Sequence, residues 1–157
     1  MNDLRIDELK KLLKRKDPYA NKGDSGTLSV IAGSEYYRGA AGLAVTAAHA
    51  SGVGIVRLVS IENVISAVSS LCPECIFLPV SKTEVGAISY HDLEVKKNGA
   101  LKASSVLIGC GMTDRVDTRM CVASVLSSFN GAIIVDADGL NSIKNCPDLL
   151  RSAKEPP

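Results

Sequence analysis

Tryptophan is absent, and aromatic residues make up only 4% of the 157 residues. A core built from this chain must be filled by Val, Ile, Leu and Ala. An excess of one charge is also lacking: 18 Lys and Arg oppose 17 Asp and Glu, for a formal charge of +1. A dedicated nucleic-acid binder would carry a basic surplus. No apolar run approaches the roughly 18 residues of a transmembrane helix. The N-terminus mixes Asp3, Asp7 and Glu8 with Arg and Lys and has no apolar stretch of the signal-peptide kind. The five Cys are an odd number and form no disulfide framework, so they read as thiols of a cytoplasmic protein. What remains is 46% hydrophobic and 22% charged, the composition of one domain with a sizeable core.

Five short segments rich in Val, Ile and Leu recur: Leu28–Ala32, Ile55–Val59, Cys75–Val80, Ser105–Ile108 and Ala132–Val135. Most lack polar alternation, which marks strands buried on both faces. Between them, Gly39–Ser51, Glu62–Leu71 and Asp117–Ser128 carry helical patterning. Alternating strands and helices predict a three-layer α/β/α domain around a mainly parallel sheet. Residues 81–103 predict a strand or hairpin around Val85–Tyr90, then a short helix around Asp92–Gly99. Residues 1–17 predict a leading amphipathic helix, with Leu9, Leu12 and Leu13 on one face and a basic cluster at its end. That cluster reads as a solvated face.

Chemistry is expected where parallel strands end. After the first strand comes Ala32-Gly33-Ser34, then the small residues Gly39, Ala40, Ala41 and Gly42 at a helix start. Small residues there admit a ligand to the backbone or allow tight helix–sheet contact, and composition does not separate the two. After the fourth strand comes Gly109-Cys110-Gly111-Met112-Thr113, a dinucleotide fingerprint whose third glycine is replaced by Asp114. After the fifth come Asp136 and Asp138; Asp138 is expected to cap the next helix and Asp136 to face the ligand side. Gly52-Val53-Gly54 precedes a strand and reads as a helix stop. Cys72-Pro73-Glu74-Cys75 lacks the second ligand pair of a zinc site and precedes a strand, so it reads as structural. His49 and His91 show no catalytic partner. No P-loop and no nucleophile elbow occurs.

In order along residues 18–145, these segments resemble one family. Asn21-Lys22-Gly23-Asp24-Ser25-Gly26, Leu28–Ser34 and Tyr37–Ala41 look like the opening of the ADP- or ATP-dependent NAD(P)H-hydrate dehydratases. These are ribokinase-like proteins related to the C-terminal part of YjeF. Ser51-Gly52-Val53-Gly54, Gly109-Cys110-Gly111 (where the family usually has Gly-Pro-Gly) and Val135–Asn141 resemble its later segments. The resemblance implies a lyase that repairs hydrated NADH or NADPH. It would spend ADP or ATP, with Mg2+, to phosphorylate the added hydroxyl and eliminate phosphate. It places Gly39, Ala40, Ala41, Gly111 and Asp136 at the hydrate site and Lys22 and Gly23 at its entrance. It also implies that the chain corresponds to the N-terminal half of the family's domain, without the Gly-Thr-Gly-Asp segment that supplies the base. No catalytic residue is therefore expected in this chain. A homo-oligomer, or a second chain supplying that half, is the expected partner.

Two other readings compete. The chain is instead a small Rossmann-like domain binding a nucleotide or S-adenosylmethionine through Gly109 and Gly111. Asp136, 25 residues after Gly111, would then be the ribose acid. Against this, the fingerprint falls on the fourth strand and not the first. The third reading is a fragment without activity.

Overall fold

The computed structural model describes Tyr19 and residues 21–152. The predicted helix over residues 1–17 lies outside them. The five apolar segments all form strands: β1 (Thr27–Ile31), β2 (Ile55–Ile61), β3 (Ile76–Val80), β4 (Ser105–Ile108) and β5 (Ala132–Val135). They pair in parallel as one sheet of order β3-β2-β1-β4-β5. Val30 and Ile31 of β1, Leu58 of β2 and Ile108 of β4 are fully buried, as strands covered on both faces require. Two serines inside the sheet satisfy themselves on nearby carbonyls: Ser29 donates to Ala100 and Ser60 to Ala32.

The main helices are α1 (Arg38–Ala50), α2 (Glu62–Ser69) and α5 (Val116–Ser128). Helix α1 lies against β1 and β2 and packs on α2; α5 packs against α3 (Tyr90–Val95) and α6 (Asp138–Ile143). The apolar spacing in α2 buries Val64, Ile65 and Val68 on one face. This is the expected three-layer α/β/α architecture.

Residues 81–103 depart from expectation. The predicted hairpin is a compact loop held by one antiparallel bridge, Lys82 to Ile88. The predicted single helix is two. Ser89 accepts from the Asp92 amide and so starts α3 at Tyr90; Lys96, at φ −95° and ψ 6°, then separates it from α4 (Lys97–Ala100). The serine cap fixes the helix start by satisfying a free amide of the first turn.

The chain leaves β3 at the sheet edge and returns to place β4 beside β1. Strand order therefore reverses between β1 and β4, and the crevice beyond their C-terminal ends is where such sheets bind ligands.

Candidate active site

Three loops at these strand ends are tied together by one carboxylate. Glu35, in the loop after β1, receives hydrogen bonds from Lys82 at 2.9 Å, Asn63 at 2.9 and 3.0 Å, and Arg38 at 2.5 Å. Lys82 follows β3, Asn63 opens α2 after β2, and Arg38 opens α1. The Glu35 amide also donates to the Gly86 carbonyl at 2.9 Å. The Lys82 and Asn63 hydrogen bonds, with the nearby positive charges, lower the Glu35 pKa to about 2. Sequence reasoning missed this role: Glu35 is one acid among several until its partners, up to 47 residues away, are brought together.

A groove of about 640 Å3 runs between α1 and the β4–β5 side of the sheet. Its walls are apolar, from Leu43, Ala44 and Ala47 on the helix to Leu107 and Ile134 on the strands. Ala40, Cys110, Gly111 and Asp136 line it at the strand ends. Gly39 is exposed, with open space where a side chain would stand. The structure thus brings Ala40, Gly111 and Asp136 to one groove, with Gly39 at the same helix start. It does not bring Ala41: one residue further round the helix, Ala41 is fully buried beside Gly33. Nor does it bring Lys22 and Gly23. They form a 3-10 turn just before β1, at the N-terminal end of the sheet. A five-residue strand, roughly 16 Å, separates them from the strand ends where Ala40, Gly111 and Asp136 meet. Residues that immediately precede a parallel strand cannot reach the end where its ligand crevice opens.

The two glycines after β4 are occupied by the chain itself. A Cβ on Gly109 (φ +123°) would stand 2.0 Å from the Asp136 carbonyl oxygen. One on Gly111 (φ +66°) would stand 2.7 Å from Ala40 Cβ and 2.8 Å from Tyr37 Cβ. In a dinucleotide fingerprint that space admits a pyrophosphate; here it admits the starts of α6 and α1. The Rossmann-like reading loses its main support.

Asp138 does not cap α6. It is the first helical residue, after Ala137 at φ +47°, and its Oδ2 accepts from the Thr113 amide at 2.9 Å. It therefore fastens the Gly109–Thr113 loop. Asp136 is exposed on the groove, with Cys110 Sγ 3.6 Å from its Oδ2. Burial first, then the Asp136 charge, pushes the Cys110 thiol up to about 11, so it is no nucleophile at neutral pH. Cys72 and Cys75 are buried, and Cys75 donates to the Val56 carbonyl, in keeping with a structural role. His91 is exposed, and His49 lies near the far end of α1. Among the described residues no cluster of His, Cys, Asp and Glu suits a metal ion, and no helix is long and apolar enough to cross a membrane.

Comparison with known proteins gives this geometry its relatives. A sequence profile for NAD(P)H-hydrate dehydratase matches residues 28–156. The bifunctional NAD(P)H-hydrate repair enzyme Nnr of Methanopyrus kandleri is 34% identical over 131 residues, 82% of this chain and 24% of that protein. The ATP-dependent (S)-NAD(P)H-hydrate dehydratase of Physcomitrium patens is 26% identical, covering 90% of this chain and 45% of its own. Among solved structures, the ADP/ATP-dependent NAD(P)H-hydrate dehydratase of Bacillus subtilis, co-crystallised with ATP and Mg2+, superposes with a TM-score of 0.67. It is 25% identical over 85% of this chain and 45% of that one. A ribokinase-like protein of Enterococcus faecalis superposes with a TM-score of 0.76 over 90% of this chain and 47% of that one, at 19% identity, and shows the shared fold. The chain spans about a quarter of the repair enzymes it matches. With the profile covering most of its length, the chain belongs to the NAD(P)H-hydrate dehydratase family.

Proposed function

We propose that the strand-end groove is the substrate side of a site that dehydrates NADH or NADPH hydrate at the expense of ADP or ATP. The observation that carries this is the meeting of the α1 start, Gly111 and Asp136 at the sheet's reversal point, in a chain matching the family over residues 28–156. Gly39 and Ala40 leave the helix start open to the hydrated ring, beside the apolar walls of the groove. Asp136 accepts a hydrogen bond from the ring's added hydroxyl and so orients it. Ala41 takes no part through its side chain.

The adenine nucleotide and Mg2+ are inferred from the Bacillus and Physcomitrium relatives. When bound, they activate the hydroxyl as a phosphate leaving group. Mg2+ is usually held by one or two carboxylates together with phosphates, and Asp136 is the carboxylate the groove offers. The groove lining contains no Lys or Arg to cradle a triphosphate. The nucleotide phosphates and the general base are therefore assigned to polypeptide other than the groove residues.

The test is an assay of hydrate repair with ADP or ATP, followed by recovery of dihydronicotinamide absorbance. The chain of residues 1–157 is expected to be inactive alone and active when a polypeptide carrying the remainder of a relative's domain is added. Repair at a normal rate by the monomeric chain alone would overturn the division of labour.

A further inference from the structure

Beside the groove, on the other side of Tyr37, lies a second recess of about 490 Å3 that the proposed reaction leaves unused. We propose that it receives the adenine ring of the dinucleotide substrate, an inference that rests on the function proposed above.

The walls argue for a flat heterocycle. This chain has only six Phe and Tyr in all, 2 Phe and 4 Tyr, yet it sets Tyr36 and Tyr37 side by side on the recess, 74% and 55% exposed. Exposed aromatic faces at a cavity stack well on nucleobases. They sit on a loop already immobilised by Glu35, so little order is lost on binding. Val85, half exposed, closes the apolar side; the adjoining Gly86 carbonyl anchors it to Glu35.

The floor argues for a polar edge. Thr113 is held at φ +71°, a conformation rare for a β-branched residue. Asp138 secures its amide. Its Oγ1 is shut from solvent and has no partner among the described residues. Backbone strain and orphaned polar atoms gather at ligand sites. Thr113 lines the recess, and its hydroxyl has no hydrogen bond that a ligand contact would have to break.

The charges argue against a phosphate. Among the described residues Arg115 is the one cation on the lining, while Asp114 is paired with Lys144 at 3.5 Å and Asp138 is held by the Thr113 amide, so the recess forms no phosphate cradle and suits a neutral ring bearing an amino donor. Adenine has that donor. Adenine also occurs in the nucleotide co-substrate, so the test must separate the two sources.

The chain is titrated with NADH, adenosine, ATP and reduced nicotinamide mononucleotide. Tyrosine ring resonances are followed by NMR in wild type, Tyr36→Ala and Thr113→Val. Tyr36→Ala is expected to weaken NADH and adenosine by about tenfold or more and to leave the mononucleotide unchanged. Thr113→Val is expected to weaken the same two ligands several-fold with melting temperature unchanged or raised, because it removes an orphaned hydroxyl. A purely structural threonine would show the reverse. Unaltered NADH and adenosine affinities in both variants, or equal loss of the mononucleotide, overturn the proposal. ATP binding the tyrosine site more tightly than NADH assigns the recess to the co-substrate and also overturns it. NADH that binds wild type independently of Tyr36 removes the recess but leaves the proposed function. Tyr36-dependent adenosine binding without NADH binding does the opposite.

Discussion

At the residue scale, Asp136 and Asp138 show what a sequence can and cannot carry. Both were legible as strand-end carboxylates, and their separation into different roles was expected. The task of Asp138 was not, because the Thr113 amide it holds is 25 residues away. Asp136→Asn is expected to lower repair turnover in the reconstituted enzyme more than Asp138→Asn. Asp138→Ala should instead cost about 1–3 kcal/mol of stability, as a charge-assisted hydrogen bond to a part-buried amide is lost. Kinetics and thermal melts on the two variants check the ranking. Glu35 gives a pH signature. Its folded pKa lies near 2, below the ordinary 4.5, so its contribution to stability is complete above about pH 4.5 and is lost as pH falls toward 2. Replacing it by Gln should flatten the melting temperature over that window, relative to wild type measured in the same buffers.

At the element scale, all five strands could be read from their apolar runs because burial on both faces removes the need for alternation. The order β3-β2-β1-β4-β5 could not, since it depends on which strands meet and not on what each contains. The small residues were legible only as a choice between ligand access and packing, and the structure divides them. Ala41 and Gly109 serve packing, Gly111 both packs on the α1 start and lines the groove, and Gly39 faces open space. This yields a matched pair of variants. Gly109→Ala should destabilise by about 2 kcal/mol or more, from overpacking against α6 together with an unfavourable φ. Gly39→Ala should be neutral or stabilising by up to about 1 kcal/mol, as helix propensity rises, yet should weaken binding of NADH. Denaturant melts and calorimetric titration distinguish the two. If Gly39→Ala loses neither stability nor affinity, the α1 start is not part of the site.

At the scale of the whole molecule, the apolar groove and the sheet edges predict association. Leu43 is 76% exposed and Ile134 52% exposed on opposite walls of the groove, and β5 is an edge strand among the described residues. Such an edge pairs readily with other polypeptide. The chain is expected to sediment as more than a monomer, and Ile134→Lys to shift it toward monomer in ultracentrifugation. A monomeric wild type would contradict this. The Glu35 tie bears on how the crevice opens. One carboxylate links the segments after β1, β2 and β3, so they are expected to move together. Entry to the crevice is then expected to be set by the Gly109–Arg115 segment, fastened by the Asp138 bond to Thr113. Residence times of bound molecules should accordingly follow the breathing of that one latch, and the amide of Thr113 is where deuterium uptake would time it.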